Sequence, residues 1–193
     1  DRRARVLGVL GLCEGIPAVV FGYFALLFVT PLLQKVIPGL SLFNPLSAGL
    51  VMGFAILPYV SNVAADAMQS VPRSIREAAY ALGARPYEVA LKVVLPAALS
   101  GVIAAIILAA SRAIGETMIV AIAAGQRPTL TLDPRETIAT MTSYIVQAAT
   151  GDQPTGSTAY YALFAVGFTL FLLTLALNVL AQYIVERYRE RYE

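Results

Sequence analysis

The chain has 193 residues, 58% of them hydrophobic and only 13% charged, and its mean hydropathy is +0.72. A soluble domain carries about 25% charged residues, so this composition points to lipid as the solvent, and a net charge of +2 without a dense basic patch gives no footprint for nucleic acid. A single cysteine, Cys13, excludes an intrachain disulfide framework or a multi-cysteine metal site, and the absence of histidine removes the commonest general base and metal ligand.

Four apolar stretches follow one another, at about 15–33, 45–65, 97–124 and 159–184. Each reaches the ~20 residues a helix needs to cross ~30 Å of hydrocarbon. None shows the short alternating segments of a membrane barrel. Backbone inside a bilayer must satisfy its own hydrogen bonds, so the four read as helices. Pro17, Pro31 and Pro58 interrupt the first two. Small residues Gly49, Gly53, Gly101 and Gly167 suit close helix packing, and Ser61 and Asn62 suit interhelical hydrogen bonds. Asp66 marks the end of the second span, and Tyr183, Tyr188 and Tyr192 fit an interfacial belt.

Orientation follows from the flanking basic residues. Four spans place Arg2, Arg3, Arg5, Arg73, Arg76, Arg85, Lys92, Arg187, Arg189 and Arg191 on one side. Only Lys35, Arg127 and Arg135 fall on the other. Ten against three makes the first side, with the C-terminus, cytoplasmic. The long polar connection 125–158 is then external. Within it 134–149 reads as a helix, with Asp133 as N-cap and Pro134 in the first turn. Ile138, Met141, Tyr144, Ile145 and Ala148 share one face at helical spacing. That face packs on the bundle or docks an external partner.

The cytoplasmic loop 71–96 carries the most specific pattern. Ser74 and Glu77 fit a capping box, starting a helix at Ile75. Gly83 is placed to end it in a left-handed turn. Pro86 opens a second short helix, and Pro96 introduces the third span. Glu77-Ala78-Ala79, three residues, Gly83, nine residues, Val93, one residue, then Leu95-Pro96 resembles the EAA loop of ABC-importer permeases, with Val93 for the usual isoleucine. The resemblance implies a coupling helix that docks on a cytoplasmic ATPase, with Ser74, Glu77, Ala78, Ala79, Gly83 and Pro96 as its coupling residues. The plainer reading of Glu77 is the capping box alone.

The third span contains Arg112, Glu116 and Thr117. Arg112 and Glu116 lie four apart and so share a helix face. Counted from Pro96, Arg112 is ~24 Å along a helix, inside the membrane. Charge at mid-bilayer costs ~2.5–3.5 kcal/mol even on the lenient scale, so function is its default reading. A guanidinium matches phosphate bidentately. Glu116 then holds the guanidinium or accepts a hydrogen bond from a protonated phosphate. The alternative is an internal ion pair that neutralises two buried charges.

Arg-Ala-x-Gly-Glu in this position resembles a segment of oxyanion importers, and the continuation Thr117-Met118 is similar to phosphate permeases of the PstC type. Gly15-Ile16-Pro17, Leu57-Pro58, Asp66-Ala67, Val71-Pro72 and Tyr144-Ile145-Val146 before Gly151-Asp152 look like the same family. The resemblance implies an all-α membrane protein, a polytopic bundle with four spans on the type I ABC-importer (MetI-like) core. It also implies a single permease domain over 1–193, with two further spans ahead of Asp1. Glu14 departs from the family's small or apolar residue, and its role is open between an interfacial carboxylate and a part in transport.

No Gly-x-x-x-x-Gly-Lys pattern occurs, so ATP hydrolysis is expected in a separate subunit rather than in this chain, and no cofactor is implied. The implied partners are a second permease subunit, a cytoplasmic ATPase dimer, and a periplasmic or lipid-anchored phosphate-binding protein. The implied location is the bacterial inner membrane. Rival readings are a sulfate or molybdate permease, an ion-coupled carrier or channel gated by Arg112 and Glu116, and a membrane scaffold or sensor.

Overall fold

A computed structural model describes residues 15–151 and 154–188, with the side chain of Tyr188 left aside. Arg2, Arg3, Arg5, Cys13, Glu14, Asp152, Arg189, Arg191 and Tyr192 lie outside the described residues. Among the described residues the secondary structure is helical, without strands. In chain order the helices are α1 (Ala18–Gln34), α2 (Pro45–Gln69), α3 (Arg73–Ala81), α4 (Pro86–Ala97), α5 (Leu99–Ile114), α6 (Met118–Ala123), α7 (Met141–Thr150) and α8 (Thr158–Tyr188).

Four full spans are expected; two helices, α2 and α8, are long and apolar enough to cross a membrane, or three if α4 and α5 form one broken span. The reason lies in prolines and a glycine. α1 has 17 residues, or ~26 Å, short of ~30 Å of hydrocarbon. Its backbone widens into a π-turn over Ala25–Val29, which ends two residues before Pro31. α4 does the same over Val89–Val94, which ends two residues before Pro96. Proline removes an amide donor and crowds the carbonyl four residues back, and a π-turn accommodates both. The chain then bends by 71° between α4 and α5. The expected third span, 97–124, is therefore two helices, α5 and α6, with a bend before them and a break at 115–117. In α2 the helix runs on through Pro58, whose ring is fully buried.

The described residues divide into two compact units, one within 1–57 and 112–175, the other within 58–111 and 176–193. The first has a core of small residues: Ala25, Ala48, Val51, Val120, Ala123 and Ala124, flanked by Phe21, Val29, Met52 and Ile138. Gly22 lets α1 lie against α6, since a Cβ there would sit 3.0 Å from Ile122 Cδ1 and 3.2 Å from the Met118 carbonyl. A buried polar network ties the same unit. Asn44 caps α2 by accepting the Ser47 amide at 2.8 Å, and its own amide donates to the Ala123 carbonyl at 2.9 Å. Thr30 donates to Ser47 at 2.8 Å, and Asn44 Nδ2 donates to the Ser41 carbonyl at 2.9 Å.

The second unit has its own core of Val71, Val89, Val94 and Ala98, with Ile75 and Ala79 packed against it. Here α5 crosses α2 at Gly101, where a Cβ would lie 2.6 Å from Ala67 Cβ. Of the four glycines expected at helix contacts, only Gly101 meets a neighbour; Gly49, Gly53 and Gly167 face open space within 4 Å.

The connection 125–158 differs from its expected form. Pro134–Glu136 is a turn, closed by Glu136 N–H to the Asp133 carbonyl at 3.2 Å. The chain then runs extended to Thr140, which caps α7 with Ser143 in a reciprocal box. So the helix starts at Met141, not Pro134, and Asp133 is not its cap. Its buried positions are Thr142, Ser143 and Ala148, while Met141 is exposed and Ile138 precedes the helix. The buried face is two-thirds hydroxyl, which an apolar periodicity cannot reveal. Asp133 instead pairs with Arg135 at 2.7 Å, and that guanidinium holds its carboxyl down to about 2.

Candidate functional site

Two sets of residues were singled out by their types and spacing, and each has a definite local cause. The first surrounds the break in the third apolar stretch. α5 is apolar until its last turn, where Arg112 sits exposed. A cation there complements the carbonyl end of the helix. α5 ends at Ile114, so Arg112 and Glu116 are not on one continuous helix face. With the bend at Ala98, Arg112 lies 13 residues, or ~20 Å, along the straight part of the helix rather than ~24 Å from Pro96.

Glu116 turns toward the helix that follows it. Its Oε1 accepts the backbone amides of Thr117 and Met118, each at 3.1 Å, and of Ile119 at 3.5 Å. These are orphan donors at the start of α6, and a carboxylate also suits the positive end of a helix. The Glu116 carbonyl in turn accepts the Thr142 hydroxyl from α7 at 2.8 Å. Glu116 thus joins the end of α5, the start of α6 and the first turn of α7. The Thr117 hydroxyl donates to the Gly115 carbonyl at 3.3 Å, which leaves its oxygen free to accept. Sequence spacing missed the break because Gly115 alone does not end a helix. Gly115 followed by a carboxylate able to reach three amides was the available signal.

The second set is the α3–α4 corner. α3 starts at Arg73 with Pro72 before it, and no side chain caps it, so the expected Ser74–Glu77 capping box is not formed. Ser74 and Glu77 are both exposed. Arg76 instead reaches back to α2, donating from Nη2 to the Met68 carbonyl at 2.6 Å. The C-terminal end is as the sequence predicts. Gly83 has φ +81°, its amide bonds the Tyr80 carbonyl at 2.9 Å, and the Ala84 amide bonds the Ala79 carbonyl at 3.1 Å. That pair of bonds is the Schellman closure, which needs a left-handed residue. The expected second short helix at Pro86 continues without interruption to Ala97, with Pro96 exposed near its end.

The two alanines divide: Ala79 packs inward on the second unit's core and Ala78 faces out. Glu77 is exposed too, as are Tyr80 (48%), Leu82 (90%) and Tyr87 (58%) along the same corner of the chain. Leu82 is held out because it is the C-cap residue preceding Gly83. The corner therefore presents a carboxylate, a thin alanine patch and three large apolar side chains on a rigid turn.

A multi-helix membrane chain with a charged residue at a helix break, and a rigid exposed corner between helices, fits the class of transport subunits. The chain belongs to the family described as binding-protein-dependent transport system inner membrane component, whose model matches residues 3–190. Among its relatives, the probable ABC transporter permease protein YqgH of Bacillus subtilis is 32% identical over 179 residues, covering 93% of this chain and 58% of that protein. The phosphate transport system permease protein PstC of Xylella fastidiosa is 32% identical over 198 residues, covering 91% and 59%. PstC 1 of Mycobacterium tuberculosis is 33% identical over 210 residues, covering 96% and 62%. The chain thus spans about three fifths of the length of these curated relatives. No solved structure matches it significantly.

Proposed function

We propose that this chain lines the translocation path of an ATP-driven importer for inorganic phosphate. The observation that carries the reading is the position of Arg112, an exposed cation in the last turn of a mostly apolar helix, just before the break at 115–117. A planar guanidinium there offers paired donors to a phosphate in transit. The Thr117 oxygen, still able to accept, suits the hydroxyl of a protonated phosphate. Glu116 serves the path by holding the α5–α6 break in shape. The names of the PstC relatives support phosphate; the name of YqgH states no substrate.

Energy enters through residues 71–96, which form the cytoplasmic coupling loop. Glu77, Ala78 and the exposed Tyr80 and Leu82 face a groove on a separate ATPase dimer, and the Gly83 turn keeps the corner stiff enough to transmit its movement. Ser74 and Pro96 frame that corner. Residues 125–158 form the periplasmic side, to which a phosphate-binding protein delivers its cargo. A second permease subunit completes the path. The ten-to-three split of basic residues supports a C-terminus in the cytoplasm of a bacterial cell.

The test is labelled phosphate uptake in cells carrying the full-length permease, with excess sulfate or molybdate as competitor. Uptake that needs the permease and resists both competitors supports the reading. Competition by either oxyanion keeps the importer class and removes the phosphate assignment. Uptake that survives loss of the ATPase subunit removes the coupling role and favours a carrier or channel.

A further inference from the structure

Residues 129–132 have their polar and apolar sides reversed. Along the segment burial alternates, with Thr129 and Thr131 half-buried and Leu130 and Leu132 exposed. Thr129 and Thr131 face inward. The Thr129 hydroxyl donates to the Thr137 carbonyl at 2.8 Å, and the Thr131 hydroxyl accepts the Asp133 amide at 3.1 Å. Leu130 and Leu132 face outward, at 107% and 102% exposure, as open as in an isolated extended peptide. A segment made for water would place these residues the other way round.

Hydrogen bonds fix where the segment sits. Thr137 Oγ1 donates to the Phe43 carbonyl at 2.9 Å, and the Ser41 amide donates to the Arg135 carbonyl at 3.0 Å. Residues 41–44 lead directly into α2 at Pro45. The apolar run 45–65 of that helix is ~31 Å long, which matches ~30 Å of hydrocarbon. With Pro45 at the hydrocarbon boundary, the segment tied through Thr137 and Arg135 to residues 41–43 falls in the headgroup layer. The neighbouring link between α1 and α2 adds Val36 at 76% and Leu42 at 52% exposure, with Lys35 and Arg127 as exposed cations. On the two helices that this link joins, Phe28, Leu32, Leu50 and Phe54 are exposed as well.

We propose that residues 129–132 are an interfacial anchor, with Leu130 and Leu132 inserted at the boundary between lipid headgroups and acyl chains. Apolar side chains flanked by cations are the chemistry that such a surface takes up, with the cations meeting anionic headgroups. The anchor would hold the external connection, and with it the Thr142 bond to the Glu116 carbonyl, at a fixed depth. The inference rests on α2 crossing the membrane and is independent of the substrate.

The test uses the full-length permease in vesicles of phosphatidylcholine and phosphatidylglycerol, with Leu132→Trp or Leu130→Trp as reporter. These 193 residues contain no tryptophan, and emission from the unsubstituted protein is subtracted. The expected result is a blue-shifted signal that loses most of its intensity to lipids brominated on the acyl chain and little to iodide. Strong iodide quenching without bromolipid quenching would place the leucines in water and overturn the proposal. Resistance to both quenchers at both positions would mean a protein partner covers them, and would overturn it equally.

Discussion

If the proposed function holds, Glu116 shapes the path rather than handling the cargo. Its carboxylate accepts three amides at the start of α6. Losing such a helix-start acceptor costs ~0.5–2 kcal/mol. Glu116→Ala removes it outright. Glu116→Gln keeps an acceptor oxygen but not the charge, and charge-assisted bonds are roughly twice as strong as neutral ones. If α6 opens locally, ~0.5–2 kcal/mol corresponds to ~2–30-fold more open state. Hydrogen exchange of the peptide spanning 115–124, followed by mass spectrometry on the full-length permease, should speed up by that factor in the alanine variant and by clearly less in the glutamine variant. Phosphate uptake should fall in the same order. Lost uptake with unchanged exchange in both variants would refute the reasoning and make the carboxylate a direct ligand.

Gly101→Ala brings a methyl to within 2.6 Å of Ala67 Cβ, so α5 and α2 must part by ~1 Å, at a cost of about 1–3 kcal/mol in denaturant or thermal unfolding. Gly49→Ala, Gly53→Ala and Gly167→Ala, which meet nothing within 4 Å, should leave the isolated permease as stable or slightly more so. Gly83→Ala meets no neighbour either, but φ +81° costs the new side chain roughly 1–2 kcal/mol of backbone strain, and ATPase stimulation by the assembled transporter should weaken. Asp133 should titrate near 2, measured by carboxyl NMR, and return toward the ordinary carboxylate range in Arg135→Ala. Its pKa is depressed in the folded chain. The pair's contribution is therefore complete above the ordinary carboxylate value and lost as pH falls through about 2.

What the sequence made legible was whatever depends on single residues with one strong backbone preference. Gly83 ended its helix in the left-handed turn, and Pro86 opened the next. The long apolar runs became α2 and α8. What it hid was competition between several partners for the same groups. Ser74 and Glu77 had the spacing for a capping box, yet Pro72 already supplied a helix start and Arg76 tied α3 to α2. Asp133 had the type for a cap but found Arg135 two residues on, leaving Thr140 and Ser143 to start α7. The i,i+4 spacing of Arg112 and Glu116 presumed a continuous helix, and the amides of α6 gave Glu116 another use. The buried Thr30–Asn44–Ser47 network left no trace in hydropathy, because its hydroxyls and amide lie in different segments.

The central claim, that this chain carries phosphate past Arg112 on energy from a separate ATPase, is tested most directly by reconstitution. Proteoliposomes holding the full-length permease with its second permease, ATPase and binding protein would be loaded with ATP on the ATPase side, and labelled phosphate uptake measured for wild type, Arg112→Lys and Arg112→Ala. The account predicts ATP-dependent uptake in the wild type, a partial loss with lysine, which keeps the charge but not the fork, and a near-complete loss with alanine while the assembly remains intact. Undiminished uptake by an intact Arg112→Ala assembly would contradict it.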